Sequence, residues 1–199
     1  MPAAERRVTR EDIIPEAEFA AQRKARRAAL LPLKQLRRVP LGPYANVIFE
    51  SFETMLFQIQ EMLLVEKGGE AQVQDELDAY NPMIPQGSEL TATVMFEIED
   101  EVRRDLILRR LGGVEDHFFL QVGADRAPGV QEGDIERTRD DGKTSSVHFL
   151  HFPLTADQKS AFADPSLQVM VGCDHELYHH LAVLSPAVRA ELAKDLAQD

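Results

Sequence analysis

A chain of 199 residues, 44% apolar and 28% charged, is long enough to bury a sizeable core and too ordinary in composition for wholesale disorder. Its single cysteine, Cys173, excludes an internal disulfide. No apolar run approaches the ~20 residues of a membrane span and MPAAERRVTRED has no apolar leader, so the expectation is a cytoplasmic protein with no membrane partner. The net charge of −12 is uneven: residues 1–43 carry ten Lys and Arg against five Asp and Glu, the rest twelve against twenty-nine, and an acidic body of this kind repels nucleic acid.

In chain order, Thr9-Arg10-Glu11-Asp12 has the form of a capping box before a short turn, and Pro15 then opens a basic helix to about Leu31. Pro32, Pro40 and Pro43 punctuate the route onward. We expect residues 1–43 to form a basic helical extension docked on acidic surface of the body. Residues 46–66, NVIFESFETMLFQIQEMLLVE, predict one long buried helix: Phe49, Phe52, Leu56, Ile59 and Leu63 form a stripe at helical spacing that Ile48, Met55 and Met62 widen. Gly68-Gly69 ends it. Residues 70–80 predict a further helix, with Val73, Leu77 and Tyr80 on one face and Asn81-Pro82 as its stop.

The texture changes at Glu89, where Leu90, Ala92, Val94, Phe96 and Ile98 alternate with polar residues as in a half-buried strand. Asp100 caps a helix to about Leu111, and residues 117–122 predict a second strand. Residues 123–143 read as loop containing a short strand pair, with Asp141-Gly142 as a tight turn. Residues 145–152, SSVHFLHF, predict a third strand and residues 167–173 a fourth, separated by a short helix that Thr155-Ala156-Asp157-Gln158 opens as a capping box. Ser185-Pro186 starts a last helix with Val188, Leu192 and Leu196 as its stripe. The expected fold is therefore α+β in a single domain spanning 1–199: the long helix of 46–66 packed on a largely antiparallel sheet of four to five strands with short interleaved helices.

The sharpest chemical motif is His175-Glu176-Leu177-Tyr178-His179, the H-E-x-x-H pattern of zinc metalloproteases. On a helix His175 and His179 would hold zinc and Glu176 would activate its water; on a strand the two histidines would stand ~13 Å apart, too far to share a metal. Glu50 and Glu61, eleven residues apart on the predicted helix, join Glu53 and Gln60 as polar groups among residues that want burial. Salt bridges to the Arg-rich first helix are their simplest fate, with metal ligation as the alternative. His148 shares its strand face with Leu150 and Phe152, whereas His151 points the other way. We therefore take Glu50, Glu61 and His148 as candidate binding residues, at a site where the carboxylate side of the long helix faces His148. Phosphate-binding glycine loops, a nucleophile elbow and Cys-x-x-Cys are absent, and Asp174 beside Cys173 disfavours a thiolate.

Residues 44–50, QIQEMLLVE at 58–66, ELDAYNPMIP at 76–85, ELTATVMFEIED at 89–100 and TSSVHFLHF at 144–152 resemble the bacterial domain-of-unknown-function family numbered 3501, over about Thr9 to Leu196. The family has no established activity. The resemblance implies an Asp-His-Pro-like segment where this chain has Asp174-His175-Glu176, so the Glu that completes the zinc motif is local drift. It also implies a gene neighbourhood of rubrerythrin-like and iron–sulfur proteins. The sequence thus points to a non-catalytic binding or assembly protein, a homo-oligomer or an accessory to an oxidative-stress or redox system, with no cofactor. Its rival is a zinc-dependent hydrolase built on His175, Glu176 and His179.

Overall fold

Residues 46–49 of the predicted long helix belong to a strand, Ala45–Phe49, and the architecture follows from that difference. The computed structural model describes residues 6–133 and 137–196. It places helix α1 at Glu16–Leu36, strands β1 at Arg38–Leu41 and β2 at Ala45–Phe49, then helices α2 at Phe52–Glu66 and α3 at Glu70–Tyr80. Val47 and Phe49 are fully buried on one face of β2 while Asn46 and Ile48 point to the other, so the period is two until Ser51. There the Ser51 hydroxyl accepts the Thr54 N–H and the Thr54 hydroxyl accepts the Ser51 N–H, which caps α2 and sets where the helix can begin. Helix α1 outlasts its expected stop at Leu31 and carries Pro32 inside. The extension is accordingly a helix followed by a strand.

The rest of the chain adds β3 at Glu89–Phe96, α4 at Glu101–Arg110, β4 at Phe118–Val122, β5 at Asp125–Pro128 and β6 at Val130–Gln131. After these come β7 at Val147–Pro153, α5 at Ala156–Ala163, β8 at Val169–His175, β9 at Tyr178–Val183 and α6 at Pro186–Leu192. The chain is α+β, but its strands form two antiparallel sheets in place of the one expected: β1-β2-β3-β7-β6 and β5-β4-β8-β9. Two strands were hidden in segments read as helix or linker, and β9 in a segment left without a strand, which together supply the extra edges.

The sheets stack through one apolar layer. Leu90, Ala92, Val94, Leu150 and Phe152 from the first meet Phe118, Leu120, Val169, Val171 and Cys173 from the second. Burial pushes the Cys173 thiol up to about 11, so it is inert. The other face of the five-stranded sheet carries Thr91, Thr93 and Phe149 and is covered by α2 and α3, whose Met55, Ile59, Val73 and Leu77 form a second core with Val8 and Ile13. Two polar fastenings lock the layers. The Tyr178 hydroxyl donates to Leu41 O at 2.6 Å and accepts from the Ala45 N–H at 2.8 Å, tying β9 to the β1–β2 hairpin. Arg37, 2% exposed, gives two hydrogen bonds to Asp195 at 2.7 and 2.9 Å, further bonds to Glu191, and one to Glu50 O, tying the end of α1 to the C-terminal segment.

Candidate functional site

Helix α1 is built largely from strong helix formers, with six alanines and five Lys or Arg side chains, a composition that favours helix over its 21 residues despite Pro32. Of its side chains Phe19 alone is buried. Phe19 meets Phe57 of α2 edge-on at 5.7 Å, and Arg23 clamps Glu61 with two hydrogen bonds of 2.8 and 2.7 Å, holding the Glu61 carboxyl below its usual range. Of the basic residues before position 44, Arg23 pairs with Glu61, Arg10 with Glu70, Arg37 with Glu191 and Asp195, and Arg38 with Glu97. The charges of Lys24, Arg26, Arg27 and Lys34 have no carboxylate within ion-pair distance among the described residues. Four cations are left to solvent along one helix.

Between α1 and α2 run two adjoining grooves. The first, about 360 Å³, is apolar, lined by Phe19, Ala29, Leu30, Leu33, Leu56 and Phe57 with Arg26, Glu53 and Gln60 among them. The second, about 490 Å³, shares Leu30 and Phe57, adds Leu31, Ile48, Met62 and Val65, and has a polar rim of Arg27, Lys34, Arg38, Gln35, Gln58 and the Arg23-paired Glu61. Leu31 and Val65 stand 52% and 63% exposed. Large apolar residues thus stand in the open here beside cations that have no carboxylate partner among the described residues.

Glu50 lies beneath this layer, at the exit of β2. Its carboxyl is 6% exposed and accepts hydrogen bonds from the hydroxyls of Thr54 and Thr93, each at 2.6 Å, with no cation in contact. Burial raises its pKa, outweighing those two bonds and the more distant charges of Lys34 and Arg37. Glu61 and Glu50 thus occupy one layer, the first at its surface and the second under it.

His148 is elsewhere. It pairs in register with Val94 and points between the two sheets against Phe96 and Phe118, with Nε2 donating to Ser145 O at 2.9 Å. The expected meeting of His148 with the helix carboxylates does not occur, because a five-stranded sheet separates them; burial lowers the His148 pKa. His151 does face the helical side, between Glu89 at 2.9 Å and Glu132 at 2.5 Å, and the Glu89 hydrogen bond heads the causes that raise its pKa.

The zinc geometry is not formed. His175 ends β8, Glu176 and Leu177 make the turn, and Tyr178 begins β9, with His175 opposite Tyr178 and Asp174 opposite His179. Cross-strand partners share a face, so His175 and His179 lie on opposite faces of a hairpin. His175 is buried, accepting the Leu177 N–H at Nδ1 and donating from Nε2 to Gly112 O, whereas His179 and Glu176 are exposed. Among the described residues no group of three or more His, Cys, Asp or Glu side chains is arranged to hold a metal ion. No described helix is long and apolar enough to cross a membrane.

The family model described as "Protein of unknown function (DUF3501)" matches residues 7–196. The chain belongs to this family. A crystal structure of a protein from Burkholderia pseudomallei K96243, described as a novel protein of unknown function, is similar to it at 37% sequence identity with a TM-score of 0.87. That match covers 96% of this chain and 99% of the other. A search of curated proteins gave no match. The DUF3501 resemblance of the sequence blocks is thereby confirmed, and it brings no activity with it.

Proposed function

We propose that this DUF3501 protein is a non-catalytic binding protein that seats an acidic amphipathic helix of a partner protein in the grooves between α1 and α2. The observation that supports this reading is the 21-residue helix α1 with one buried side chain, flanked by two grooves with apolar floors whose rims carry Arg26, Arg27 and Lys34, cations with no carboxylate partner among the described residues. A partner helix with apolar residues at i, i+3, i+4 and i+7 would fill such a groove, and glutamates on its flank would answer Arg26, Arg27 and Lys34. A rubrerythrin-like or iron–sulfur protein, the neighbour implied by the family resemblance, is the first partner to try.

The test is site-specific photo-crosslinking from position 31 or 65 in cells, followed by sequencing of the captured segment and titration of that segment as a synthetic peptide. We expect an Asp- and Glu-rich amphipathic segment whose affinity falls at least tenfold in an Arg27→Glu/Lys34→Glu variant and weakens with salt. Crosslinks only to a second copy of this chain would replace the reading with homo-oligomer assembly. A captured segment without acidic character would end it.

A further inference from the structure

A second site lies on the opposite flank, between α4 and the hairpin of residues 137–145. The hairpin is held to the body by backbone and charge together. Thr138 bridges Thr144, the Arg139 N–H donates to Lys143 O at 2.9 Å, and the Thr144 N–H donates to Leu108 O of α4 at 3.1 Å. On its outer side Lys143 meets Asp105 at 2.6 Å and Arg109 meets both Asp105 and Asp141 at 2.8 Å. Underneath, the buried Glu115 carboxylate accepts the hydroxyls of Thr138 at 2.7 Å and Thr144 at 3.0 Å, and Ser145 O takes the proton of His148. These contacts fix the wall of the pocket before any ligand arrives.

The cavity they frame, about 380 Å³, is lined by Arg104, Arg137, Arg139, Lys143 and the hydroxyl residues Thr144, Ser145 and Ser146; among the described residues Leu108 is its one apolar member and no carboxylate lines it. Arg104 spends one N–H on Ile98 O at 3.1 Å and Arg137 lies over the Phe149 ring at 5.2 Å; neither these nor Arg139 has a carboxylate within ion-pair distance among the described residues. In a chain of net charge −12, three guanidiniums around one cavity with no carboxylate partner among the described residues are a concentration of positive charge that an anion would answer. The Ser145 Oγ accepts the Val147 N–H and so keeps its own proton to donate. A neighbouring depression past Arg137 and Arg139 bears Asp116 and Asp140, which confines an anion to the α4 side.

We infer that this pocket binds a phosphoryl group, as a small phosphomonoester or as free phosphate, through Arg104, Arg137 and Arg139 with Ser145 and Ser146 as hydroxyl donors. A tetrahedral dianion presents three oxygens to guanidinium forks and hydroxyls, a match that a single carboxylate leaves half used. The volume admits a phosphorylated sugar and excludes a duplex.

The experiment is calorimetric titration of the full chain with inorganic phosphate and with ribose 5-phosphate at fixed ionic strength, alongside Arg104→Gln/Arg137→Gln, Arg139→Gln and the control Arg110→Gln, an exposed arginine of α4 outside the cavity. We expect saturable one-to-one binding, weakened about tenfold or more in the double variant, about threefold in Arg139→Gln and unchanged in the control. Tighter binding of ribose 5-phosphate assigns the site to a phosphomonoester, and equal affinities assign it to free phosphate. Should the double variant fail to fold, Arg139→Gln alone decides, since its side chain is exposed. Absence of saturation by about 10 mM of either probe, or saturation indifferent to Arg139→Gln, overturns the inference. So does preferential binding of a single-stranded oligonucleotide with a steep salt dependence.

Discussion

The two faces of the five-stranded sheet solve opposite problems. Its inner face is closed by a second sheet, is apolar apart from His148 and Gln131 of the edge strand β6, and spends that histidine on a backbone carbonyl. Its outer face carries Thr91, Thr93 and a buried carboxyl, and is covered by helices of which the outermost, α1, is held at Phe19, Arg23 and the Arg37 latch. The contrast teaches where this molecule can afford to be incomplete. The inner layer buries its apolar side chains against the second sheet, whereas α1 buries only Phe19 and leaves most of its surface open, which is the surface the proposed partner would use.

The comparison can be broken most directly at Arg37. Arg37→Met leaves Asp195 buried without its cation and Glu191 with Lys194 alone, and we expect a loss of about 3–5 kcal/mol in urea unfolding. A loss below about 1 kcal/mol would mean that α1 is attached by other means. Next in size, Tyr178→Phe removes the donor to Leu41 O and the acceptor of two backbone N–H groups, for about 1–3 kcal/mol. That tests whether the two sheets depend on this fastening.

Glu50 sharpens the contrast through pH. Its folded-state pKa is raised, chiefly by burial, so the folded chain holds this proton more tightly than the unfolded one. Its contribution is then fully present below the unfolded value of about 4.3 and is lost as pH rises through the folded value. Glu50→Gln should gain stability over wild type across that rise, and a pH-independent difference between the two would show the carboxyl to be ionised throughout. His151 carries the same sign for a different reason, since Glu89 and Glu132 favour its charged form. Its contribution is complete below about pH 6.5 and lost as pH rises through the raised value, so His151→Gln should flatten stability in that window.

The smallest effects are expected on the open face. Arg26→Glu/Arg27→Glu should shift stability by no more than about 0.5 kcal/mol, because neither guanidinium has a carboxylate partner among the described residues, while binding of the proposed acidic helix should be lost. A large drop in Tm would mean that the basic helix is held down by its charges after all. Glu176→Gln, on the exposed hairpin turn, should likewise leave stability within about 0.5 kcal/mol.

Which features were legible in the sequence depends on how local their causes are. The alternation of 89–96, the capping box at Thr155 and the stop at Gly68-Gly69 are written in neighbouring residues, and those elements stand where periodicity puts them. Residues 46–49 failed because Ile48 and Phe49 fit a period of 3.6 as well as one of two. The deciding signal was the Ser51-Phe-Glu-Thr54 cap, which starts the helix after them. H-E-x-x-H failed for a related reason: five residues can share a helix face or fold back as a hairpin, and His175 opposite Tyr178 is a choice made by pairing with β4 and by Tyr178 reaching Leu41. Of the candidate residues, Glu61 was legible, since an Arg-rich helix must find carboxylates. That His148 lies across the sheet from Glu50 was not, because strand parity gives relative faces but never says which face a helix will cover.

The sequence by itself determined the charge division, the α+β texture, the family and a first helix rich in strong helix formers, because these follow from composition and from interactions within a few residues. Tertiary structure alone decided that the strands split into two sheets, that Arg37 reaches Asp195 across 158 positions, and that Arg104 of α4 joins Arg137 and Arg139 around one cavity. Those outcomes rest on which apolar faces bury one another. That is a property of the whole chain, which no local pattern encodes.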